Sequence, residues 1–296
     1  MNERNAPRPL RNAVLSAGLS LAAASGMASS GAARSVERQV VEHGPARIEV
    51  LAQGSGPMVV LLPSLARGAE DFDRIAPLVA AAGYRVIRPE PRGIGRSTGP
   101  MDGLSLYDLA ADVAVAIEAD AGGRPGPVIV AGHAFGNWIA RALSAIRPDM
   151  VRAVVLLAAS IGTDIDPGIR SSIDGSFNPD LSEDERLRHL LRGYFASGND
   201  ARVWLGGWHP AVARMQRTAT ASTTDRTWQR VADRVPVLYV AAEEDAITPP
   251  PTLARLQQEL GMRASLTSIP HVGHALLPEQ PEATAAALVR FANTLP

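Results

Sequence analysis

The sequence predicts an α/β protein with a doubly wound, mostly parallel sheet and a helical cap inserted between two sheet strands. Two observations predict the sheet. From residue 47 onward, short β-rich runs alternate with longer amphipathic segments, and the runs are continuously apolar, as in strands covered on both faces. A third observation predicts the cap, because the alternation stops between residues 161 and 230.

The composition is typical of a soluble globular protein and excludes several classes of function. The 296 residues are 46% hydrophobic with a formal net charge of -1, so no concentrated basic surface is available for a nucleic acid. Cysteine is absent, which excludes disulfides, thiolate zinc sites and a cysteine nucleophile. We expect neither a metal nor an organic cofactor, because the sequence has no ligand cluster and no dinucleotide fingerprint.

The first 34 residues resemble an export signal. Arg4, Arg8 and Arg11 precede a small, mildly apolar run at residues 13–24, which is followed by Ser, Gly and Ala residues. This is the order of regions in a signal peptide, and the run is too short to cross a bilayer. We therefore expect a periplasmic or secreted protein without stable membrane insertion. The alternative is a disordered extension of a cytoplasmic protein.

The predicted strands and helices alternate along the chain. Strands are predicted at Ile48–Leu51, Met58–Leu62, Tyr84–Ile87, Val128–Val130, Ala153–Leu157, Val237–Val240 and Ala264–Thr267. Helices, with apolar residues three and four positions apart, are predicted at 70–82, 105–119, 137–146, 252–260 and 281–293. Ser105 and Asp108 have the spacing of a capping pair. The α/β core is thus predicted at 35–160 and 231–296, with the cap at 161–230.

The predicted cap contains three of the four tryptophans, among them Trp204 and Trp208. Large aromatic side chains in a mostly helical insertion suit a lid over an apolar pocket. We therefore expect Trp204 and Trp208 to contact a substrate, although the small core of the cap also needs part of these rings.

Three loops carry candidate catalytic groups, each after a predicted strand, where active sites of doubly wound sheets lie. The fourth strand leads into Gly-His-Ala-Phe-Gly at residues 132–136. This is the Gly-x-Ser-x-Gly frame of a nucleophile elbow, with Ala134 at its centre. The sixth strand leads to Asp245, an acid able to orient an imidazole. The seventh leads to His274, which is placed to act as a general base.

The chain order of elbow, acid and histidine resembles that of the α/β-hydrolase family, in particular its esterases and lactonases. Residues 89–97, Pro-Glu-Pro-Arg-Gly-Ile-Gly-Arg-Ser, resemble the family's Asp-x-Arg-Gly-x-Gly-x-Ser loop, with Glu90 in place of Asp. The resemblance covers nearly all of the chain after the signal-like segment. It implies a catalytic triad with Ala134 at the nucleophile position, Asp245 as the acid and His274 as the base.

Neighbouring residues compete for two of these roles. Glu243 and Glu244 precede Asp245, but only Asp245 has the family's spacing to the following Thr-Pro. His271 competes with His274, yet His274 follows a glycine, as the family's catalytic histidine does.

The resemblance also implies an oxyanion hole built from two backbone N–H donors. Phe135 supplies the first donor, and Leu65, after the second predicted strand, supplies the other. In that loop Pro63-Ser64 replaces the family's His-Gly, and the Ser64 hydroxyl can donate to a substrate or pack. His133 is a further candidate for substrate contact, with a structural rather than a catalytic role.

Ala134 determines which function the chain can have, because an alanine methyl group cannot attack a carbonyl. If the natural residue is serine, the chain is a nucleophile-dead variant of a serine hydrolase for hydrophobic esters or lactones, with the alanine engineered to trap substrate. If it is aspartate, the chain resembles epoxide hydrolases or dehalogenases. The epoxide hydrolases' usual His-Gly-x-Pro is absent, which favours serine.

Two further classes do not need a nucleophile. One is a natural binding or receptor protein, whose pocket holds a ligand without cleaving it. The other is a cofactor-independent oxygenase or lyase, in which His274 and Asp245 act together as a base.

Overall fold

The computed structural model describes Met1 and residues 35–123, 126–162 and 165–296. The predicted export segment therefore lies outside the described residues, apart from Met1. Eight strands form one sheet: β1 Glu37–His43, β2 Ala46–Gly54, β3 Met58–Leu62, β4 Arg85–Pro89, β5 Val128–His133, β6 Val151–Leu157, β7 Val237–Ala242 and β8 Ala264–Ile269.

The strand order across the sheet is β1-β2-β4-β3-β5-β6-β7-β8. Strands β3 to β8 pair in parallel, whereas β2 is antiparallel to both β1 and β4. This confirms the predicted mostly parallel sheet. Strand β1 was not predicted, because its sequence, Glu-Arg-Gln-Val-Val-Glu-His, is largely polar, as suits a partly exposed edge strand.

Helices cover both faces of the sheet, as predicted. They are α1 Ile75–Ala81, α2 Leu106–Asp120, α3 Gly136–Ile146, α4 Pro167–Ser176, α5 Glu183–Gly193, α6 Pro210–Ser222, α7 Leu253–Leu260, α8 Leu276–Glu279 and α9 Pro281–Ala292. Val60 and Leu62 of β3 join the apolar cluster that contains α2 and α3, whereas Val59 and Leu61 join the cluster that contains α1 and α9. None of the helices in the described ranges is long and apolar enough to span a membrane.

One predicted helix, at 70–82, is divided in two. Residues Ala69–Phe72 form a 3-10 turn, and α1 starts only at Ile75. Pro77 explains the division. In the interior of a continuous helix its ring would clash with the carbonyl four residues earlier, whereas in the first turn of α1 it needs no N–H.

The cap consists of α4, α5, α6 and a 3-10 turn at Ala201–Trp204, all between β6 and β7 in chain order. Ser182 and Glu185 form a capping box at the start of α5. A small apolar cluster joins α5 and the 3-10 turn to Ile247 and Ala275 of the core. Because these two residues lie in the loops after β7 and β8, the cap rests on the strand ends that carry the candidate catalytic groups.

Glu90 lies buried in the loop that follows β4. Its Oε2 accepts the Ala69 N–H at 2.9 Å. Burial raises the pKa of Glu90 from 4.5 to about 7, and the nearby charge of Glu49 acts in the same direction. The folded state therefore keeps a proton on Glu90 at pH values where the unfolded chain has already released it.

We expect Glu90→Gln to remove a pH dependence of stability. The contribution of Glu90 to the free energy of unfolding decreases as the pH rises from about 4.5 to about 7 and is constant above that range. In urea unfolding, the variant and the parent should therefore have the same free energy of unfolding at about pH 4.5. At about pH 8 the free energy of unfolding of the variant should be higher by at most about 3 kcal/mol. The exposed Glu282→Gln is the control. An equal difference from the parent at both pH values would contradict the prediction.

Candidate active site

The candidate catalytic residues come from loops after four strands at the centre and one side of the sheet. Leu65 follows β3, Ala134 follows β5, Asp245 follows β7 and His274 follows β8. The carboxyl ends of parallel strands lie at one edge of the sheet, so residues far apart in sequence meet there. Leu65, Ala134 and His274 indeed line the same cavity.

Ala134 is at the apex of a sharp turn between β5 and α3. Its φ of 45° lies in the left-handed region, which is unfavourable for a residue with a Cβ by about 1–2 kcal/mol. A Cβ on Gly132 would overlap the backbone of Gly136, and a Cβ on Gly136 would overlap the carbonyl of Leu62. The chain therefore crosses closely enough to need both glycines, which is the geometry of a nucleophile elbow.

Asp245 and His274 form a buried pair. His274 Nδ1 lies 2.9 Å from Asp245 Oδ2 and 3.1 Å from Oδ1. The carboxylate also accepts the N–H groups of Ile247 at 2.9 Å and Thr248 at 2.8 Å, and the Thr248 hydroxyl at 2.6 Å. These donors hold the carboxylate in place to accept Nδ1–H of His274, which leaves Nε2 free to accept a proton.

The loop that carries His274 is held by Glu279 of α8 and by the end of α5 in the cap. The Gly273 N–H donates to Glu279 Oε2 at 2.7 Å, and the Ala275 N–H donates to the Tyr194 carbonyl at 2.8 Å. The Tyr194 ring also meets the His274 ring edge-on, with the centroids 5.6 Å apart. Burial raises the pKa of Tyr194 to about 12, so its hydroxyl stays neutral.

Two other histidines lie near His274, one exposed and one buried. The side chain of His271 is 88% exposed, with Nδ1 3.7 Å from Glu244, which supports the choice of His274. His133 is fully buried, and its Nε2–H donates to the His274 carbonyl at 2.9 Å. Burial lowers the pKa of His133 to about 3, and His274 acts in the same direction, so His133 stays neutral and has a structural role.

Two backbone donors next to the elbow are free. Within the described parts of the chain, the N–H groups of Leu65 and Phe135 have no hydrogen-bond partner, and both residues line the cavity. Ser64 lines the cavity beside them. Two free N–H donors in the wall of one cavity, next to the elbow, are candidates for an oxyanion hole.

The cavity has a volume of about 410 Å³ and mainly apolar walls. It is lined by Ser64, Leu65, Ala134, Phe135, Trp138, Ser160, Ile165, Arg170, Ile173, Asp174, Tyr194, Arg217, Thr220, Ile247, Thr248 and His274. Sequence reasoning missed Trp138, although it lies one helical turn after Ala134 and could have been found by that spacing. It also missed the cap residues, because no motif marks them.

Three residues predicted to contact substrate, Trp204, Trp208 and His133, do not line this cavity. The Trp204 ring packs against His133, with the centroids 6.0 Å apart. Trp204 and Trp208 enclose the guanidinium of Arg67, at 4.7 Å and 4.6 Å from the ring centroids. The large rings are therefore used to attach the cap to the core.

Comparisons with known proteins identify the family of the chain. The model of the Alpha/beta hydrolase family matches residues 59–287. A non-heme chloroperoxidase from Streptomyces lividans is 28% identical over 246 residues, which are 76% of this chain and 88% of the relative. A pyrethroid hydrolase from Sphingobium wenxiniae is 26% identical over 263 residues, 80% and 87% of the two chains.

Among solved structures, a meta-cleavage product hydrolase from Pseudomonas fluorescens, a serine-to-alanine mutant complexed with acetates, has a TM-score of 0.70. At 20% identity it covers 86% of this chain and 97% of its own, which shows the shared fold. The family model covers well over half of the chain and includes the elbow, the acid and the histidine. The chain therefore belongs to the alpha/beta hydrolase family.

Proposed function

We propose that the chain is a serine hydrolase for hydrophobic carboxylic esters or lactones, in which Ala134 stands in place of the nucleophile. One observation carries the proposal. Ala134 at the elbow lines one cavity with Leu65 and Phe135, whose N–H groups are free, and with His274, which is paired with the buried Asp245. Burying a carboxylate against an imidazole is costly, and a pocket that only binds an apolar ligand has no use for the pair.

The arrangement accounts for acyl transfer once a serine hydroxyl occupies position 134. His274 Nε2 accepts the hydroxyl proton while the oxygen attacks the carbonyl carbon, and Asp245 stabilises the resulting imidazolium. The N–H groups of Leu65 and Phe135 bind the oxyanion. The proton then passes to the leaving alcohol, and a water molecule releases the acyl group by the same steps. With Ala134 the substrate still binds, but turnover stops.

The walls of the cavity support an apolar substrate. Trp138, Ile165, Ile173 and Ile247 face it, and its volume suits a small molecule. One relative is named for pyrethroid hydrolysis, which supports a hydrolase, and another is named as a non-heme chloroperoxidase. The gene of the source organism tests the identity of the nucleophile directly, since we expect a serine codon at position 134.

A second candidate is a cofactor-independent oxygenase or lyase. The observation that favours it is that the Asp245–His274 pair stays assembled without any nucleophile. His274 would then remove a proton from the substrate, and the N–H groups would stabilise the resulting enolate. Turnover by the chain as it stands, lost in His274→Ala, would favour this candidate over the hydrolase.

The cap holds the loop that carries the second oxyanion donor. Ala66, next to Leu65, has a φ of 62°, and its N–H donates to Gln216 Oε1 of α6 at 2.8 Å. The carbonyl of Ala66 accepts the His209 N–H at 2.9 Å. Because both backbone groups of Ala66 bind cap residues, the direction of the Leu65 N–H depends on the cap. Arg67 reinforces the contact by donating to the Gly206 carbonyl of the cap at 2.6 Å.

We expect Ala134→Ser to create esterase activity, because the base, the acid and both donors are already in place. Loss of an essential triad member commonly lowers turnover by about four to six decades, so the variant should exceed the parent by a comparable factor. Release of p-nitrophenol from p-nitrophenyl acyl esters, followed by a panel of lactones, measures the gain. A variant no faster than the parent on the whole panel would refute the hydrolase.

In the Ala134→Ser background we expect His274→Ala to remove nearly all of the gained activity and Asp245→Asn to remove most of it. The first change deletes the base, whereas the second disturbs only its tautomer and orientation. The exposed His271→Ala is the matched control and should retain the activity. A requirement for His271 instead of His274 would overturn the assignment of this loop.

We expect Gln216→Leu, in the same background, to lower kcat by about tenfold with little change in KM. The substitution leaves the Ala66 N–H unpaired and shifts the neighbouring N–H of Leu65. Removing an oxyanion donor altogether lowers kcat by about 10²–10³-fold, so the loss from a shifted donor should be smaller. The exposed Gln258→Leu is the control, and melting temperatures of both variants identify a loss due to unfolding. An effect confined to KM would show that Gln216 does not act through the oxyanion hole.

A further inference from the structure

Two arginines of the cap line the mainly apolar cavity. Arg170 on α4 lies on one helix face with Ile173 and Asp174, three and four residues later, and all three line the cavity. Arg217 on α6 lines it from the second cap helix. Neither arginine is part of the acid–base machinery at the strand ends.

The two arginines differ in their partners. Arg217 donates to Asp174 Oδ1 at 2.5 Å, and its guanidinium lies 5.5 Å from the centroid of the Phe177 ring. Arg170 is exposed, and its guanidinium has no hydrogen bond and no ion pair within the described ranges. The Arg217–Asp174 pair thus joins α4 to α6, while the charge of Arg170 is left for a ligand.

The charges around the cavity favour an anion. Of its described lining residues, Arg170 and Arg217 are cationic and Asp174 alone is a carboxylate, already bound to Arg217. The buried Asp245 is bound to His274 and does not line the cavity. A ligand carboxylate at Arg170 would therefore meet one uncompensated guanidinium, whose planar fork fits a carboxylate bidentately.

We propose that the substrate is an ester or lactone with a free carboxylate remote from the scissile carbonyl, and that Arg170 binds this carboxylate. The inference rests on the proposed function, which places the carbonyl between Ala134 and the N–H groups of Leu65 and Phe135. The apolar part of the substrate then lies along Trp138 and the isoleucines of the wall, with its anionic end at the cap.

Binding to the chain as it stands tests this proposal, because Ala134 prevents turnover. The probes are monoethyl succinate, monoethyl adipate and monoethyl suberate, each compared by calorimetry with the neutral primary amide of the same ester. We expect at least one carboxylate probe to bind more tightly than its amide. Arg170→Gln should weaken the binding of that carboxylate by about three- to tenfold and leave the binding of the amide unchanged. The preference should also fall as salt screens the exposed charge.

Arg214→Gln is the matched control, since Arg214 is an exposed arginine of α6 that does not line the cavity. This substitution should leave the affinities for the carboxylate and for the amide unchanged. Equal binding of acid and amide, or an equal loss of both in Arg170→Gln, would overturn the anionic subsite.

The Ala134→Ser variant separates this inference from the proposed function. Hydrolysis of neutral esters without any preference for the carboxylate series would leave the hydrolase standing and refute the role of Arg170. Conversely, carboxylate binding that depends on Arg170, in a chain whose Ala134→Ser variant hydrolyses no ester or lactone, would keep the subsite and refute the hydrolase.

Discussion

The close crossing of the chain between β5 and α3 is the constraint on which the site depends. It holds Ala134 in the left-handed region, and the Ala134 N–H is anchored to the Leu157 carbonyl at 3.0 Å. Because Gly132 and Gly136 have no Cβ, the turn can also approach the loop after β3. One steric feature thus places residue 134 in the wall of the cavity and brings the elbow close to the loop after β3.

The cap is attached to the catalytic loops by polar contacts as well as by apolar packing. Arg67, in the loop after β3, forms an ion pair with Asp71 and is enclosed by the rings of Trp204 and Trp208. The desolvation of such a pair is offset only when its hydrogen bonds are complete, which the Gly206 carbonyl helps to achieve. The cap is therefore part of the oxyanion loop's support and not only a cover.

The sequence predicted most of the fold because strand and helix periods are local properties. Each of the seven predicted runs overlaps a strand, with Tyr84 just before the start of β4, whereas β1 was missed because its apolar pattern is weak. The division of the predicted helix before Ile75 also has a local cause, Pro77, yet periodicity alone did not reveal it. The Asp245–His274 pair was predictable, since each residue follows a strand in a motif whose order along the chain is distinctive.

The lining of the cavity was not predictable in the same way. Trp204 and Trp208 are large and lie in the cap, so composition favoured them as substrate contacts, but the cationic Arg67 between them gives these rings a different role. Arg170 lines the cavity because of the position of α4 in the cap. No local sequence pattern predicts that position.

The amino-acid sequence was enough to assign the order of strands and helices, the elbow glycines and the candidate acid and base, because these depend on residue spacing and on local steric limits. Tertiary contacts set which N–H groups stay free within the described ranges, which rings are used for packing and which charge lies beside the cavity. Those properties depend on contacts between distant segments, where burial and hydrogen bonding set the cost of each polar group.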